Sequence, residues 1–293
     1  MHTILDLIGN TPLVEIKNLQ QNPKVKIFVK LEGQNPGGSV KDRAAYSMIK
    51  GFMNSKNYKK GTRLIEATSG NTGIALAMIA QQFNLPISLV MPDNATKERI
   101  LTMKAYGAEV LLTPAEKTIE YSRTYALELA KNENYFVLNQ FENDDNWKAH
   151  YRTTGPEIWN DTNNKITHFV SAMGTTGTIM GVSRFLKEQN NNIQIVGTQP
   201  KEGSRIPGIR RWSPEFLPKF FDKNRVDSII DVTQQEAITS MKNLAKKESI
   251  FCGMSSGGAM SAALKLAKTL NEGLIVTVAC DRGDRYLSSG IYE

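Results

Sequence analysis

The stretch RLIEATSGNTGIALAMIAQQ, Arg63 to Gln82, passes from strand to helix through one glycine-rich loop. Arg63 to Ala67 is a short apolar run that ends in turn residues, the pattern of a buried strand. From Asn71 to Gln82 the pattern is helical. The same passage recurs along the chain. Further strands are expected at Val25 to Leu31, Ile87 to Met91, Glu109 to Leu112, Tyr135 to Leu138, His168 to Ala172, Ile193 to Thr198 and Leu274 to Ala279. Further helices are expected at Thr96 to Tyr106, Ala115 to Asn132, Thr176 to Gln189, Gln234 to Lys247 and Gly257 to Leu270. Strands alternating with helices give βαβ units, so the fold class is α/β with mostly parallel sheets covered on both faces. That many strands divide between two sheets, with a cleft between two domains. Pro200 to Lys223 is the longest stretch without periodicity, as binding loops often are.

With 293 residues, 40% hydrophobic and 22% charged, the chain can bury a large core, and disorder is not expected. MHTILDLIGN has no basic region followed by an apolar run, and GIALAMIA, Gly73 to Ala80, is too short to span a bilayer. No membrane contact is expected, and the protein reads as soluble and cytoplasmic. The two cysteines, Cys252 and Cys280, form no C-x-x-C pair, which suits a reducing compartment. A net charge of +7 is spread over pairs such as Lys59-Lys60 and Lys246-Lys247, so no nucleic-acid partner is expected. The positive field suits attraction of small anions to a cleft. His2, His150 and His168 lie far apart, so no metal site is expected, and His168 reads as a satisfied core residue.

Three small-residue loops mark candidate anion sites: EATSGNTG at Glu66 to Gly73, SAMGTTGT at Ser171 to Thr178, and CGMSSGGA at Cys252 to Ala259. Glycines and hydroxyls at a helix start let backbone N–H groups face an anion, helped by the helix dipole. Each also serves as a plain turn or cap. No G-x-x-x-x-G-K-[ST] is present, and GTTGT is not the G-x-G-x-x-G of a dinucleotide fold. Gly253 to Gly257 matches G-x-S-x-G, but no histidine follows Ser255, which removes the hydrolase reading.

NPGGSVKDRAA, Asn35 to Ala45, sets Lys41 at a helix start, where the field repels a cation. Two readings fit. In one, Ser39 caps the helix, Asp42 completes a capping-box-like pattern and Lys41 points into water. In the other, Lys41 is tied up covalently by an aldehyde.

SVKDR (Ser39 to Arg43), TSGNTG (Thr68 to Gly73), GTTGT (Gly174 to Thr178) and SSGG (Ser255 to Gly258) together resemble the fold type II pyridoxal-phosphate enzymes. Within that tryptophan synthase β-like group the chain is similar to the cysteine synthases, from IGNTPLV at Ile8 to CDRGDRYLS at Cys280 to Ser288. IPGIRRW (Ile206 to Trp212) and AHYRTTGPEIW (Ala149 to Trp159) resemble the B isoform, the O-acetylserine sulfhydrylase B type.

The resemblance implies two α/β domains with the active site in the cleft between them. It divides the chain into a larger cofactor-binding domain, 1–36 and 145–293, and a smaller domain with the substrate loop, 37–144. It assigns pyridoxal 5'-phosphate as cofactor and Lys41 as its Schiff-base lysine and α-proton base. Gly174, Thr175, Thr176, Gly177 and Thr178 would hold the phosphate, Asn71 the ring 3'-oxygen and Ser255 the pyridine nitrogen. Thr68, Ser69, Asn71, Thr72 and Gln140 would receive the substrate carboxylate. The implied reaction is β-replacement: O-acetylserine plus sulfide gives cysteine and acetate, or thiosulfate gives S-sulfocysteine, with Arg210 and Arg211 serving the bulkier anion. Either arginine alternatively pairs with a surface carboxylate, and Cys280 either borders the site or only packs. A homodimer is implied, with no regulatory domain after Tyr292. A cystathionine β-synthase-like enzyme, an O-phosphoserine-using sulfhydrylase and a non-catalytic amino-acid-binding protein remain as alternatives.

Overall fold

The computed structural model describes residues 2–132 and 134–292. In chain order come β1 (Leu13–Glu15), β2 (Val25–Leu31), α1 (Lys41–Met53), β3 (Arg63–Ala67), α2 (Asn71–Gln82) and β4 (Ile87–Pro92). Next are α3 (Lys97–Ala105), β5 (Glu109–Thr113), α4 (Thr118–Asn132), β6 (Tyr135–Val137), α5 (Asp144–Arg152), α6 (Thr154–Asp161) and β7 (His168–Ala172). The last are α7 (Gly177–Gln189), β8 (Gln194–Pro200), β9 (Ser228–Val232), α8 (Gln234–Glu248), α9 (Met254–Ala267) and β10 (Gly273–Ala279).

Two sheets form. The larger has the order β1-β2-β10-β7-β8-β9 and is parallel except for the β1–β2 pair; the smaller, β5-β4-β3-β6, is wholly parallel. Parallel strands covered on both faces need apolar side chains on both, and β4 is buried at every residue. On one face of the larger sheet Ile27, Val29 and Ile275 pack with Met241 of α8 and Met260 of α9. On the other, Phe169 and Val276 pack with Ile158 of α6 and Met180 of α7. The smaller sheet sets Leu64 and Leu89 against Ala45 of α1 and Leu76 of α2, and Ile65 and Val90 against Ala126 of α4.

Several elements depart from the sequence expectation. Helices α5 and α6 and strands β1 and β9 were not expected. Helix α5 buries only Asn146, Ala149 and His150, two of them polar, so its inner face carries no hydrophobic period. Strand β9 lies at a sheet edge and buries only Val232. Helix α9 starts at Met254, not at Gly257, so SSGG is helix rather than loop. Gly257 is there for helix packing: a Cβ on it would strike the Ala237 carbonyl of α8. His168 opens β7 half-buried, its Nδ1 2.8 Å from Thr167 Oγ1, so it is not a core residue.

A buried ion network ties α1 in place. Arg43, 2% exposed, spans Glu32 at 2.7 and 2.8 Å and Glu157 of α6 at 2.6 and 2.7 Å. Lys30 of β2 is fully buried and reaches Glu157 at 2.8 Å, Asp161 at 3.2 Å and the Thr11 carbonyl at 2.6 Å. Burial alone would raise the Glu32 carboxyl, but the Arg43 guanidinium, with hydrogen bonds from Thr11 and Asn35, outweighs it and holds the group down to about 2. Removing one member strands its partners' charges in the interior, so Arg43→Met is expected to cost about 3–5 kcal/mol. Urea unfolding measures this, and a loss below about 1 kcal/mol would contradict the role assigned to the network.

Candidate active site

A cavity of about 760 Å³ opens at the carboxyl ends of strands from both sheets, where ligands of parallel α/β folds bind. The residues after β3, β7, β8 and β10 all reach it. Of the residues singled out from sequence, Lys41, Thr68, Ser69, Asn71, Thr72, Gln140, Gly174, Thr175, Thr176, Thr178, Arg210, Arg211 and Ser255 line it. Gly177 lies behind the wall, at the start of α7, where a Cβ would strike the Asn146 side chain.

Lys41 opens α1, as expected, but the capping box does not form. The Ser39 hydroxyl accepts the Lys41 N–H at 3.2 Å, while the Asp42 carboxylate turns back to accept the Gly37 N–H at 2.5 Å. Burial raises Asp42 to about 7. The Val40 N–H donates to the Cys280 carbonyl at 2.8 Å, which fixes the chain just before Lys41 against the end of β10.

The GTTGT loop forms a cradle. Thr176 takes a left-handed φ of 66°, and its buried hydroxyl has no hydrogen-bond partner among the described residues. Gly177 and Thr178 begin α7, whose first N–H groups have no intrahelical acceptors. Two residues of α5 brace the loop: Asn146 Nδ2 donates to the Gln140 carbonyl at 2.7 Å and to Thr175 Oγ1 at 3.3 Å, and His150 Nε2 lies 3.3 Å from Thr178 Oγ1. Burial pushes His150 down to about 3, so it braces as a neutral ring. Trp212 Nε1 donates to the Gly174 carbonyl at 2.8 Å and draws the IPGIRRW segment over the cradle.

Across the cavity, Thr72 Oγ1 donates to Gln140 Oε1 at 2.8 Å. Ser255 is buried in the first turn of α9. Arg210 and Arg211 differ. The Arg211 guanidinium pairs with Asp231 and donates to the Pro200 carbonyl at 2.9 Å, so the surface-carboxylate alternative holds for it. Arg210 lies over the Trp212 ring, 5.4 Å from its centroid, with no ion pair among the described residues. Cys280 lines the cavity, and burial pushes its thiol up to about 11.

Sequence reasoning assigned no role to Asn146, His150, Asp281, Arg285 or Tyr286. Asp281 and Tyr286 line the cavity. Their signal was CDRGDRYLS itself, a run of charges beside an apolar strand end. Among the described residues no metal-binding cluster occurs, and no helix is long and apolar enough to cross a membrane.

Glu66 of β3 holds the loop that carries Gln140, accepting the N–H groups of Asn139 at 2.8 Å and Gln140 at 3.2 Å. Burial, only partly offset by these bonds, raises its carboxyl from the ordinary 4.5 to about 7. A carboxyl raised on folding stabilises the fold below pH 4.5 and loses that contribution as pH climbs through 7. Between those limits the stability of Glu66→Gln, measured by urea unfolding, is expected to depend less on pH than that of the unaltered protein. Parallel curves would refute it.

The cavity fits pyridoxal 5'-phosphate. An orphaned buried hydroxyl at a helix start supplies neutral donors for a phosphate dianion, and Lys41 stands in the same cavity to hold an aldehyde. The comparisons agree. Cysteine synthase B of Pseudomonas aeruginosa is 56% identical over 99% of this chain and 97% of its own length. Cysteine synthase B of Escherichia coli is 53% identical over 100% and 96%. A solved cysteine synthase from Entamoeba histolytica superposes with a TM-score of 0.94 at 38% identity, over 100% of this chain and 90% of that one. The family profile described as pyridoxal-phosphate dependent enzyme matches residues 4–281, and this chain belongs to that family.

Proposed function

We propose that the chain is a cysteine synthase that converts O-acetylserine and sulfide to cysteine and acetate. The observation that carries it is Lys41 in one cavity with the GTTGT cradle and the TSGNTG loop. When bound, pyridoxal 5'-phosphate supplies a conjugated electron sink for the Cα–H bond of an amino acid.

Each wall has a part. The N–H and hydroxyl groups of Gly174 to Thr178 bind the phosphate, braced by Asn146 and His150. Ser255 would face the pyridine nitrogen, where a hydroxyl can share a hydrogen bond without forcing protonation, as an aspartate would. A weaker sink favours loss of a leaving group at Cβ over transamination. Thr68, Ser69, Asn71, Thr72 and Gln140 receive the substrate carboxylate on donors at the start of α2. Lys41 Nζ would hold the cofactor at rest and, once the substrate amine has displaced it there, the freed amine would take the proton from Cα and return one. Acetate leaves from Cβ, and the sulfur nucleophile bonds to that carbon.

Arg210 serves thiosulfate as an alternative donor, because a guanidinium suits sulfonate-like oxygens and this one, with Glu120 in the same cavity wall, makes no direct ion pair among the described residues. Arg211 helps through its hold on the Pro200 carbonyl, which anchors the loop. The two sheets act as domains, 1–36 with 145–293 and 37–144, with the site in the cleft between them. The protein works as a cytoplasmic homodimer.

The protein loaded with cofactor is expected to absorb visible light, and borohydride is expected to fix the label on Lys41. Lys41→Ala abolishes the label and lowers turnover of O-acetylserine at least about 10²-fold, the reach of one general acid–base group. An unlabelled Lys41 would end the assignment. Arg210→Ala is expected to raise the KM for thiosulfate about tenfold with sulfide unaffected, and Arg211→Ala to raise it less. Equal turnover of thiosulfate by both variants and the parent protein would remove the arginines from donor selection.

A further inference from the structure

After β10 the chain returns to the cavity and grips Asn71 from both ends of its amide. Asp281 and Arg285, 210 and 214 residues further along, are the two grips. Asn71 Nδ2 donates to Asp281 Oδ2 at 2.6 Å, and Asn71 Oδ1 accepts from Arg285 Nη1. The same Asp281 oxygen accepts the Tyr286 hydroxyl at 2.6 Å, and Asp281 is only 2% exposed. Burial holds Tyr286 well above the usual phenol range, so its hydroxyl stays a donor. Arg285 Nη2 donates to the Gly37 carbonyl, in the turn that leads into Lys41. Asp281 and Tyr286 line the cavity with Asn71.

A carboxamide between two hydroxyls faces either way, because its oxygen and nitrogen have the same shape and each finds a partner. Between a guanidinium and a carboxylate it has one orientation. A guanidinium only donates and a carboxylate only accepts, so a flipped amide would set N–H against N–H and oxygen against oxygen. Nδ2 carries two hydrogens, and Asp281 takes one. The other is what Asn71 has left to offer a ligand, so the side chain is a donor toward the cavity.

We propose that Asp281 and Arg285 are positioning residues that lock Asn71 as a hydrogen-bond donor to the ring 3'-oxygen of bound cofactor. This rests on the reading of the cavity as a pyridoxal-phosphate site. The lock keeps an acceptor from being turned toward that oxygen, where it would repel it.

The test uses the cofactor-free protein and pyridoxine 5'-phosphate, which keeps the ring oxygen and phosphate but has no aldehyde for Lys41. With no amino acid present, the readout reports the ring oxygen and not a substrate carboxylate. Binding is measured by fluorescence titration in the parent protein, Asp281→Asn, Arg285→Gln, Asn71→Ala and Asp281→Asn combined with Asn71→Ala. Asp281→Asn and Arg285→Gln are each expected to weaken binding about tenfold, the scale of a hydrogen bond to a charged group. With Asn71 already alanine, Asp281→Asn is expected to change binding less than about twofold, because a residue that acts through another has no effect once that other is gone. Equal loss in both backgrounds would overturn the inference, since the effect would then come from charge or folding. So would no loss in either single variant. If the parent protein does not bind pyridoxine 5'-phosphate, the reading of the cavity itself fails. Thermal melts report folding, and if Asp281→Asn melts below the assay temperature, Arg285→Gln with and without Asn71→Ala makes the same comparison.

Discussion

A charge taken out of water must be matched almost completely, and Arg43 is the place where this chain meets that demand. Its guanidinium joins Glu32, just after β2, to Glu157 on α6 while standing on α1 two residues from Lys41. Three elements from separate parts of the chain are thereby held to within hydrogen-bond tolerance of one another. The covering helices have apolar faces that slide at little cost, whereas paired charges do not. Lys41 inherits its place from that rigidity, and the Val40 to Cys280 backbone bond passes it on to the end of β10.

Within the cavity the GTTGT cradle itself is neutral, whereas Lys41, Arg210 and Asp281 stand elsewhere in its wall. The cradle offers hydroxyls and N–H groups, its brace His150 is uncharged, and burial raises Glu66 and Asp42 toward protonation at neutral pH. Fixed dipoles of this kind would hold an anion with no counter-charge in the loop itself. The positive net charge of the chain brings anions to the opening, and the sorting is done inside by donors of fixed direction.

The parallel sheets were legible because a strand buried on both faces must be mostly apolar, and β4 and β10 read that way while β3 and β7 keep a short apolar centre. The loops were legible because glycine and threonine at a helix start have few uses. Helix α5 was not, because its inner face holds an amide and an imidazole that satisfy other polar groups rather than fill a core. The clamp on Asn71 was hidden for a different reason: its parts are more than 200 residues apart, and no local pattern relates them. Arg210 and Arg211 are neighbours of the same residue type, yet only the fold gives one of them an aspartate. Sequence located the chemistry; tertiary pairing decided which groups were left to perform it.

The thiol of Cys280 lies in the wall of a cavity through which sulfur nucleophiles would pass. Raised to about 11, it stays protonated at neutral pH. Disulfide exchange and oxidation both begin from the thiolate, so this side chain is a poor partner for a sulfur compound lodged beside it. Burial thus keeps the protein's own sulfur out of the competition, and the active site stays chemically passive toward the reagents it would consume.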